Sequence, residues 1–205
     1  MNLGLRPPEI AFRPLARSDL PLLAEWLGRP HVGRWWPTPS DLDAVAAEYG
    51  PMIDGSDPTE GFIAVRKVEG QGTGPGQQQA FGFLQRYRLD DDPGWRRALA
   101  VAFDDGPGAG IDCLIGDQAL IGRGLGRQMI AAFVDLAWER YPDITAVVVA
   151  VDQGNEASWR ALEGTDFIRT WGGVLDSDDP SDEGPSYVYV RRRPTDGGRR
   201  AAGGG

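Results

Sequence analysis

The most informative stretch of the sequence is Ile121-Gly122-Arg123-Gly124-Leu125-Gly126-Arg127. Alternate glycines let a backbone pass close to a ligand, and the free N–H groups at the start of a following helix point toward an anion. Arg123 and Arg127 can add charge-assisted hydrogen bonds, whereas the Lys-Ser/Thr pair of a nucleotide-hydrolysing P-loop is absent. The stretch therefore predicts a loop that holds a pyrophosphate, although a glycine-rich turn is also a common entry to a helix.

The residues on both sides place this loop between a strand and a helix. Residues 110–116 are a short candidate for a buried strand, and the apolar residues at 125, 129, 133 and 136 mark one face of a long helix. Further along, the β-branched run 144–151 fits a central strand and residues 155–164 fit a helix. Two closing strands are predicted near residues 167–171 and 187–191.

The amino-terminal half supplies the remaining elements. A first strand runs from Ile10 to Pro14, Ser18 caps a helix that ends at Gly28, and Ser40 caps a second helix. An aromatic loop, residues 31–37, separates the two helices. Residues 61–66 and 80–87 then pair as a hairpin, whose Gly/Gln-rich tip at 70–79 is expected to be a mobile loop.

Composition and charge exclude several classes of partner. The 205 residues include 21 basic and 30 acidic side chains, and the resulting charge of −9 repels phosphate backbones and attracts cations. We therefore expect no nucleic-acid partner. The single cysteine, Cys113, and the single histidine, His31, provide neither a disulfide nor a ligand set for zinc, so no metal is predicted.

The length and the hydropathy pattern predict one domain without a membrane segment. No stretch approaches the twenty apolar residues that span a bilayer, and the first residues lack the pattern of a signal peptide, so we expect a cytoplasmic protein. Residues 1–193 are predicted to form a single domain, followed by a disordered tail at 194–205. The sequence leaves open whether the protein is a monomer or a homodimer.

The glycine loop and a downstream segment resemble motifs of the GNAT superfamily of N-acetyltransferases. In that family a Gln/Arg-x-x-Gly-x-Gly/Ala loop holds the pyrophosphate of coenzyme A, and residues 121–126 occupy its register with Ile121 in place of Gln/Arg. Residues 155–167 are similar to the family's Asn-x-x-Ala-x-x-x-Tyr-x-x-x-Gly-Phe segment. The resemblance implies an α/β GNAT fold, with a mixed central sheet of about six to seven strands flanked by about four helices.

The same resemblance implies acetyl-CoA as the cosubstrate and assigns residues to it. Backbone amides of the glycine loop would bind the pyrophosphate, and Asn155 would contact the pantetheine arm. The residues expected to contact the coenzyme are Leu114, Ile115, Gly122, Arg123, Gly124, Leu125, Gly126, Arg127 and Asn155.

Residues 10–190 have a narrower resemblance, to the aminoglycoside 6′-N-acetyltransferases. It is carried by four segments: Glu25-Trp26-Leu27, Trp35-Trp36, residues 82–87 and Gly110-Ile111-Asp112. It implies that the protein acetylates an amine of an aminoglycoside antibiotic and so gives resistance, with the 6′-amine favoured and a 2′-amine possible. The group's catalytic aspartate falls on Asp112 and a substrate-contacting acid on Asp152, whereas its proton-donating tyrosine falls on Leu162.

The chemistry of amine acetylation supports the assignment of Asp112. An ammonium must lose a proton before it attacks a thioester, and an aspartate just before the presumed cofactor strand can accept that proton. An aspartate in this position can instead be a turn or strand-edge residue bonded to backbone amides. Strand amides near Leu114 would stabilise the tetrahedral oxyanion. Cys113 alternates to the opposite face from Asp112 and is interpreted as a structural thiol.

Acidic loops and aromatic residues favour a cationic amino sugar as the substrate. The predicted substrate-binding residues are Trp35, Trp36, Tyr87, Asp90, Asp112 and Asp152, and Trp95 can extend the aromatic wall. The acidic run 176–183 is interpreted mainly as solvated loop charge, and some of the tryptophans as ordinary packing. Two alternatives remain: a siderophore-type lysine N-acyltransferase, although no histidine follows His31, and a catalytically silent module that binds acyl-CoA or antibiotic.

Overall fold

The computed structural model describes residues 10–68, 77–177 and 183–194. Seven strands form one sheet in the order β1-β2-β3-β4-β5-β7-β6, which confirms the predicted mixed α/β architecture. Their bounds are β1 Ile10–Pro14, β2 Glu60–Val68, β3 Gln77–Arg88, β4 Gly108–Ile115, β5 Ala146–Asp152, β6 Ile168–Val174 and β7 Pro185–Arg192. Strands β4 and β5 are parallel to each other, and every other neighbouring pair is antiparallel.

The helices are more numerous than the four that were predicted. The described part of the chain holds six: α1 Leu20–Leu27, α2 Pro30–Gly33, α3 Leu42–Asp54, α4 Pro93–Ala98, α5 Leu125–Arg140 and α6 Glu156–Glu163. The two additional helices are the short α2, which lies inside the predicted aromatic loop, and the short α4, which follows β3. Each has Pro at its first position, where the missing N–H costs no helical hydrogen bond. In the described segments, no helix is long and apolar enough to cross a membrane.

The helices cover both faces of the sheet. Helices α5 and α6 pack on one face around Met129, Phe133 and Leu162. On the other face, α1 and α3 cover β2 to β4 around Leu23 and Phe83, and a third cluster lies under α4. This arrangement leaves the carboxyl end of β4 between two groups of helices.

Two predicted helix caps are wrong. Ser18 lies within a turn of 3-10 helix, residues 17–19, and the N-cap of α1 is Asp19, which is buried and accepts hydrogen bonds from Arg13 at 2.6 and 2.7 Å. The N-cap of α3 is Asp41 rather than Ser40, and its Oδ1 accepts the backbone N–H of Ala44 at 2.9 Å. The sequence did not separate Ser40 from Asp41, because both residue types are good caps. At α1 the Asp19 side chain makes no cap hydrogen bond, and the helix continues directly from the 3-10 turn.

The hairpin is longer than predicted, because the residues from Gln77 to Gln79 belong to β3 rather than to the tip. The rest of the predicted tip lies outside the described residues, as do the first nine residues and the predicted tail from residue 195 onward.

The end of α1 and the start of α2 pack against the carboxyl end of β4. The indole of Trp26 lies flat on Gly116, where a Cβ would come within 2.2 Å of Trp26 Cδ2. Arg29 Nη1 donates to the carbonyl oxygen of Gly116 at 2.7 Å, and His31 Nε2 lies 3.1 Å from the carbonyl oxygen of Ile115. Since a carbonyl only accepts, His31 carries the proton on Nε2 in this contact. This contact holds the start of α2 against the end of β4.

The contact between Trp26 and Gly116 predicts a stability effect. Trp26 is only 3% exposed and has no room to move, so Gly116→Ala forces a displacement. We expect the free energy of unfolding to fall by about 1–3 kcal/mol, the usual cost of overpacking, in urea denaturation followed by circular dichroism. Gly126→Ala is the control, because its Cβ meets nothing closer than 3.6 Å and its stability should not fall. Equal stability of wild type and Gly116→Ala would contradict the tight contact.

Candidate active site

The site begins where β4 and β5 part. The two strands pair over only three residues each, from Gly108 opposite Ala146 to Gly110 opposite Val148, and both then continue without pairing to each other. Backbone groups on the facing edges beyond this point have no strand partner. A gap in a sheet of this kind offers unpaired N–H and C=O groups to an extended ligand.

The hydrogen bonds of β4 tell which amides face the gap. The N–H of Gly116 donates to Phe81 on the β3 side, and the carbonyl of Pro107 accepts from Thr145 on the β5 side. Because strand residues alternate and the register with β3 has no bulge, even-numbered residues face β3 and odd-numbered residues face the gap. Of the strand amides near Leu114 that were predicted to stabilise the oxyanion, the amide of Leu114 itself therefore points to β3, and those of Cys113 and Ile115 face the gap.

The glycine loop lies beside this gap with an open backbone. Gly122 and Gly124 have φ values of 76° and 78°, and a Cβ at either would meet nothing within 4 Å. Gly124 is the N-cap of α5 and provides no capping side chain, so the first amides of this 16-residue helix keep no side-chain partner at the cap. Positive φ favours glycine, and uncapped amides at a helix start attract an anion.

The residues of the loop do not all face the same way. Gly122, Gly124 and Gly126 line the cleft, as does Arg127, whose guanidinium lies against Gly164 at the end of α6. Leu125 is 3% exposed and anchors the start of α5 in the core. Arg123, also predicted to contact the coenzyme, is exposed and does not line the cleft.

A single cleft of about 2210 Å³ connects the glycine loop, the gap and the predicted catalytic residue. Asp112 lies on β4 directly opposite Gln85 of β3, and Gln85 Nε2 donates to Asp112 Oδ2 at 3.0 Å. On the α3 side, Tyr49 is buried, and this burial raises the pKa of its hydroxyl to about 12, with the charge of Asp112 acting in the same direction. Tyr49 is therefore neutral at physiological pH.

Aromatic side chains form one wall of the cleft. The ring of Tyr87 lies over Gly110, where a Cβ would come within 2.3 Å of it, and Trp95 Nε1 donates to the Tyr87 hydroxyl at 3.2 Å. Trp36 Nε1 donates to Tyr49 at 2.7 Å. Trp35 reaches across to Gly154 at the end of β5. The predicted wall of Trp35, Trp36, Tyr87 and Trp95 thus lies in one cleft.

The acidic residues are distributed differently from the prediction. Asp152 lines the cleft and accepts the N–H of Gly154 at 2.6 Å, but Asp90 does not line it and lies 3.5 Å from Arg96. Asp91 and Asp92, next to Asp90, do line the cleft. The reason is local: residues 89–91 form a turn of 3-10 helix that separates the directions of adjacent side chains.

The acidic run 176–183, interpreted from the sequence mainly as solvated charge, touches the cleft at both ends. Asp176, Ser177 and Glu183 line it, and residues 178–182 lie outside the described residues. These ends bring further negative charge to the side of the cleft that holds Asp152.

Comparison with known proteins identifies the family. The family model of the acetyltransferase (GNAT) domain matches residues 16–171. The chain belongs to the GNAT acetyltransferase family. This confirms the fold and the type of enzyme that the motifs indicated.

Two curated relatives align with most of the length of this GNAT acetyltransferase. Aminoglycoside N(6′)-acetyltransferase type 1 of Klebsiella pneumoniae and of Serratia marcescens are each 28% identical over 192 residues, or 90% of this chain and 83% of the relative. Among solved structures, the aminoglycoside acetyltransferase AAC(6′)-Ib in complex with coenzyme A superposes with a TM-score of 0.71 at 26% identity. Its complex with coenzyme A and kanamycin gives 0.70 at 26%, and both alignments cover 90% of this chain and 95% of the solved one.

Three further residues of the GNAT acetyltransferase were assigned by resemblance or by alternation. Asn155 lines the cleft, but its Oδ1 accepts the N–H of Ser158 at 3.2 Å and caps α6. Leu162, to which the resemblance assigns the family's tyrosine position, is 1% exposed and packs in the core beneath α5, at the edge of the cleft. Burial raises the pKa of the Cys113 thiol to about 12, with the charge of Asp112 adding to this, so the group is a poor nucleophile.

Sequence reasoning missed Gln85, Tyr49 and Gly164. Gln85 was included only as part of the segment 82–87, yet strand pairing places it directly opposite Asp112. Tyr49 lies on the second predicted helix, and a buried tyrosine is a signal that its hydroxyl needs a partner. For Gly164, only the folded chain shows that Arg127 lies over it.

Proposed function

We propose that this enzyme transfers the acetyl group of acetyl-CoA to an amine of an aminoglycoside antibiotic, with the 6′-amine favoured, and thereby confers resistance. The observation that carries the proposal is the placement of Asp112 in one cleft with an aromatic wall, further carboxylates and an open glycine loop. The 28% identity to aminoglycoside N(6′)-acetyltransferases over 90% of the chain supports it.

The charge of the cleft favours a polycation. Among the described residues that line it, nine are acidic and five are arginines, so the field inside is negative. One arginine, Arg127, lies by the glycine loop, and the acids Asp91, Asp92, Asp152 and Asp176 lie away from it. A unit-charge contact at 4 Å is worth roughly 4 kcal/mol at intermediate dielectric, so a few contacts select an amino sugar over neutral compounds.

The residues beside the gap fit the coenzyme. The open backbone at Gly122 and Gly124 and the uncapped start of α5 suit a pyrophosphate, and the unpaired edge of β4 suits an extended arm. When bound, acetyl-CoA supplies the activated acetyl thioester. The coenzyme contacts that we propose are those of Ile115, Gly122, Gly124, Gly126, Arg127 and Asn155.

The chain's own groups provide the rest of the chemistry. The Asp112 carboxylate accepts a proton from the substrate ammonium, which leaves a neutral amine able to attack. The N–H groups of Cys113 and Ile115 face the gap, where they can donate to a developing oxyanion. Leu162 cannot supply the proton that the departing thiolate requires, so we propose that solvent or the Tyr87 hydroxyl supplies it.

The first prediction from this proposal concerns the coenzyme. Coenzyme A should raise the melting temperature of the wild type in a concentration-dependent manner, since it binds only the folded state. Gly124→Asp should abolish the shift, because it brings a negative side chain to the pyrophosphate. Gly55→Asp is the matched control: Gly55 also has a positive φ of 75° with nothing within 4 Å, but lies outside the cleft. Equal shifts in all three proteins would rule out this loop as the coenzyme site.

The second prediction concerns the substrate. Thiol release from acetyl-CoA should occur with aminoglycosides and not with a peptide or a hydroxylysine analogue. In a pair of otherwise identical aminoglycosides, the one with an amine at 6′ should react and the one with a hydroxyl should not. The KM for the antibiotic should rise with salt, because screening at high ionic strength weakens charge contacts. A folded, coenzyme-binding protein that acetylates only the hydroxylysine analogue would instead support the siderophore-type alternative.

The third prediction concerns Asp112. Asp112→Asn keeps the size of the side chain and its hydrogen bond to Gln85 within reach, but cannot accept the proton. We expect kcat to fall by about two to four orders of magnitude, the usual contribution of a positioned base. The shift in melting temperature caused by coenzyme A should remain. An unchanged kcat would remove Asp112 from the mechanism.

A further inference from the structure

We propose that Gln85 is a positioning residue for the base Asp112. Its carboxamide fixes the orientation of the Asp112 carboxyl group and favours the anionic form. The same carboxamide can hydrogen-bond to that group in either protonation state. This inference rests on the proposed function, in which Asp112 accepts the proton of the substrate amine. It is carried by the contact between the two side chains and by the environment of the carboxamide.

The sheet fixes the pair rigidly. Gln85 and Asp112 are direct partners across β3 and β4, and the alternation established by Gly116 and Phe81 makes them a pair that shares two backbone hydrogen bonds. Their side chains therefore leave the same face of the sheet side by side. Gln85 Nε2 donates to Asp112 Oδ2 at 3.0 Å, a normal hydrogen-bond length.

The hydrogen bond to Asp112 has an energetic cost for the Gln85 carboxamide. Gln85 Oε1 is buried and has no hydrogen-bond partner among the described residues. Buried acceptors are normally satisfied, so an orphaned one calls for a physical reason. A half-turn of the amide would direct Oε1 at the carboxylate, where two acceptors repel. The anionic Asp112 thus selects the orientation that leaves Oε1 unsatisfied.

The orphaned oxygen has a use once the proton is transferred. When Asp112 takes the proton of the ammonium, its carboxyl group becomes a donor, and a half-turn about the terminal torsion of Gln85 lets Oε1 accept that O–H. Donor and acceptor of an amide have nearly the same shape, so the turn needs no repacking. A side chain that only donates could not accept the O–H of the protonated carboxyl group, and one that only accepts could not donate to the carboxylate.

Several other ionisable groups of the described residues lie around Asp112 in the cleft. Tyr49 on α3 and Cys113 on β4 each have a pKa raised to about 12 by burial, so both are neutral from pH 5 to 9. Asp152, at the end of β5, contributes a second carboxylate to the cleft. His31 on α2 also lines the cleft, and it needs its own control.

The test is the pH profile of kcat/KM for an acetylated aminoglycoside. Gln85→Met preserves the length of the side chain but removes both its donor and its acceptor. The charge-assisted hydrogen bond to the Asp112 carboxylate is stronger than the bond to the protonated carboxyl group, so losing both raises the carboxyl pKa. We expect the acidic limb of the profile to move up by about one pH unit, and kcat/KM on that limb to fall about tenfold, with recovery at high pH. Gln85→Glu, which places a like charge on Asp112, should move the limb further in the same direction. The KM for acetyl-CoA should not change.

Two controls separate this role from a structural one. Gln79→Met removes a glutamine from the same strand, one that accepts from Arg66 outside the cleft, and should leave the profile unchanged. The acidic limb should persist in His31→Gln, since it belongs to Asp112. A uniform loss of kcat/KM at every pH in Gln85→Met, or a profile identical to that of the wild type, would overturn the proposal.

A substrate-free measurement makes the inference independent of the antibiotic assignment. The carboxyl resonance of Asp112, assigned by its absence in Asp112→Asn, should titrate at higher pH in Gln85→Met than in the wild type. Failure of the wild type to acetylate any aminoglycoside, together with this shift, would refute the proposed substrate and leave the role of Gln85 standing. A normal substrate profile without the shift would refute the role of Gln85 alone.

Discussion

The site of this acetyltransferase depends on the early end of the pairing between β4 and β5. Three residues on each strand pair, and the strands then part with backbone groups exposed on both facing edges. Strands normally avoid unpaired buried amides, so the opening is stable only if other elements hold the strands apart. On one side β3 stays paired with β4 to its end, and on the other β7 stays paired with β5.

Glycine positions allow side chains to occupy the space around this opening. Trp26 lies on Gly116, the ring of Tyr87 on Gly110, and the guanidinium of Arg127 on Gly164. None of these three glycines has a positive φ, so the requirement is for space rather than for an unusual backbone conformation. The motif Gly110-Ile111-Asp112 can be explained by packing. The glycine leaves room for the ring of Tyr87, the isoleucine packs in the core and the aspartate lines the cleft.

The opening also separates two electrostatic environments. Toward α5 the cleft presents free amide dipoles and an arginine, which favour the anionic part of a coenzyme. Toward α3 and the end of β5 it presents carboxylates and aromatic rings, which favour an amino sugar. Asp112 and the odd-numbered amides of β4 lie between the two, where an amine and a thioester would meet. In the proposed function, the coenzyme therefore lies on the α5 side and the amino sugar on the other.

Local sequence patterns were sufficient for the seven strands, the four longer helices and the glycine loop, because each follows from periodicity or from a contiguous motif. They failed where neighbours compete for one role, as at Ser18 and Asp19, or where a short turn redirects side chains, as at Asp90. The direction of the Leu114 amide, the contact of Gln85 with Asp112 and the burial of Tyr49 were decided only by the tertiary structure. They depend on pairing between segments far apart in the chain, and a single sequence carries no record of which distant residues face each other.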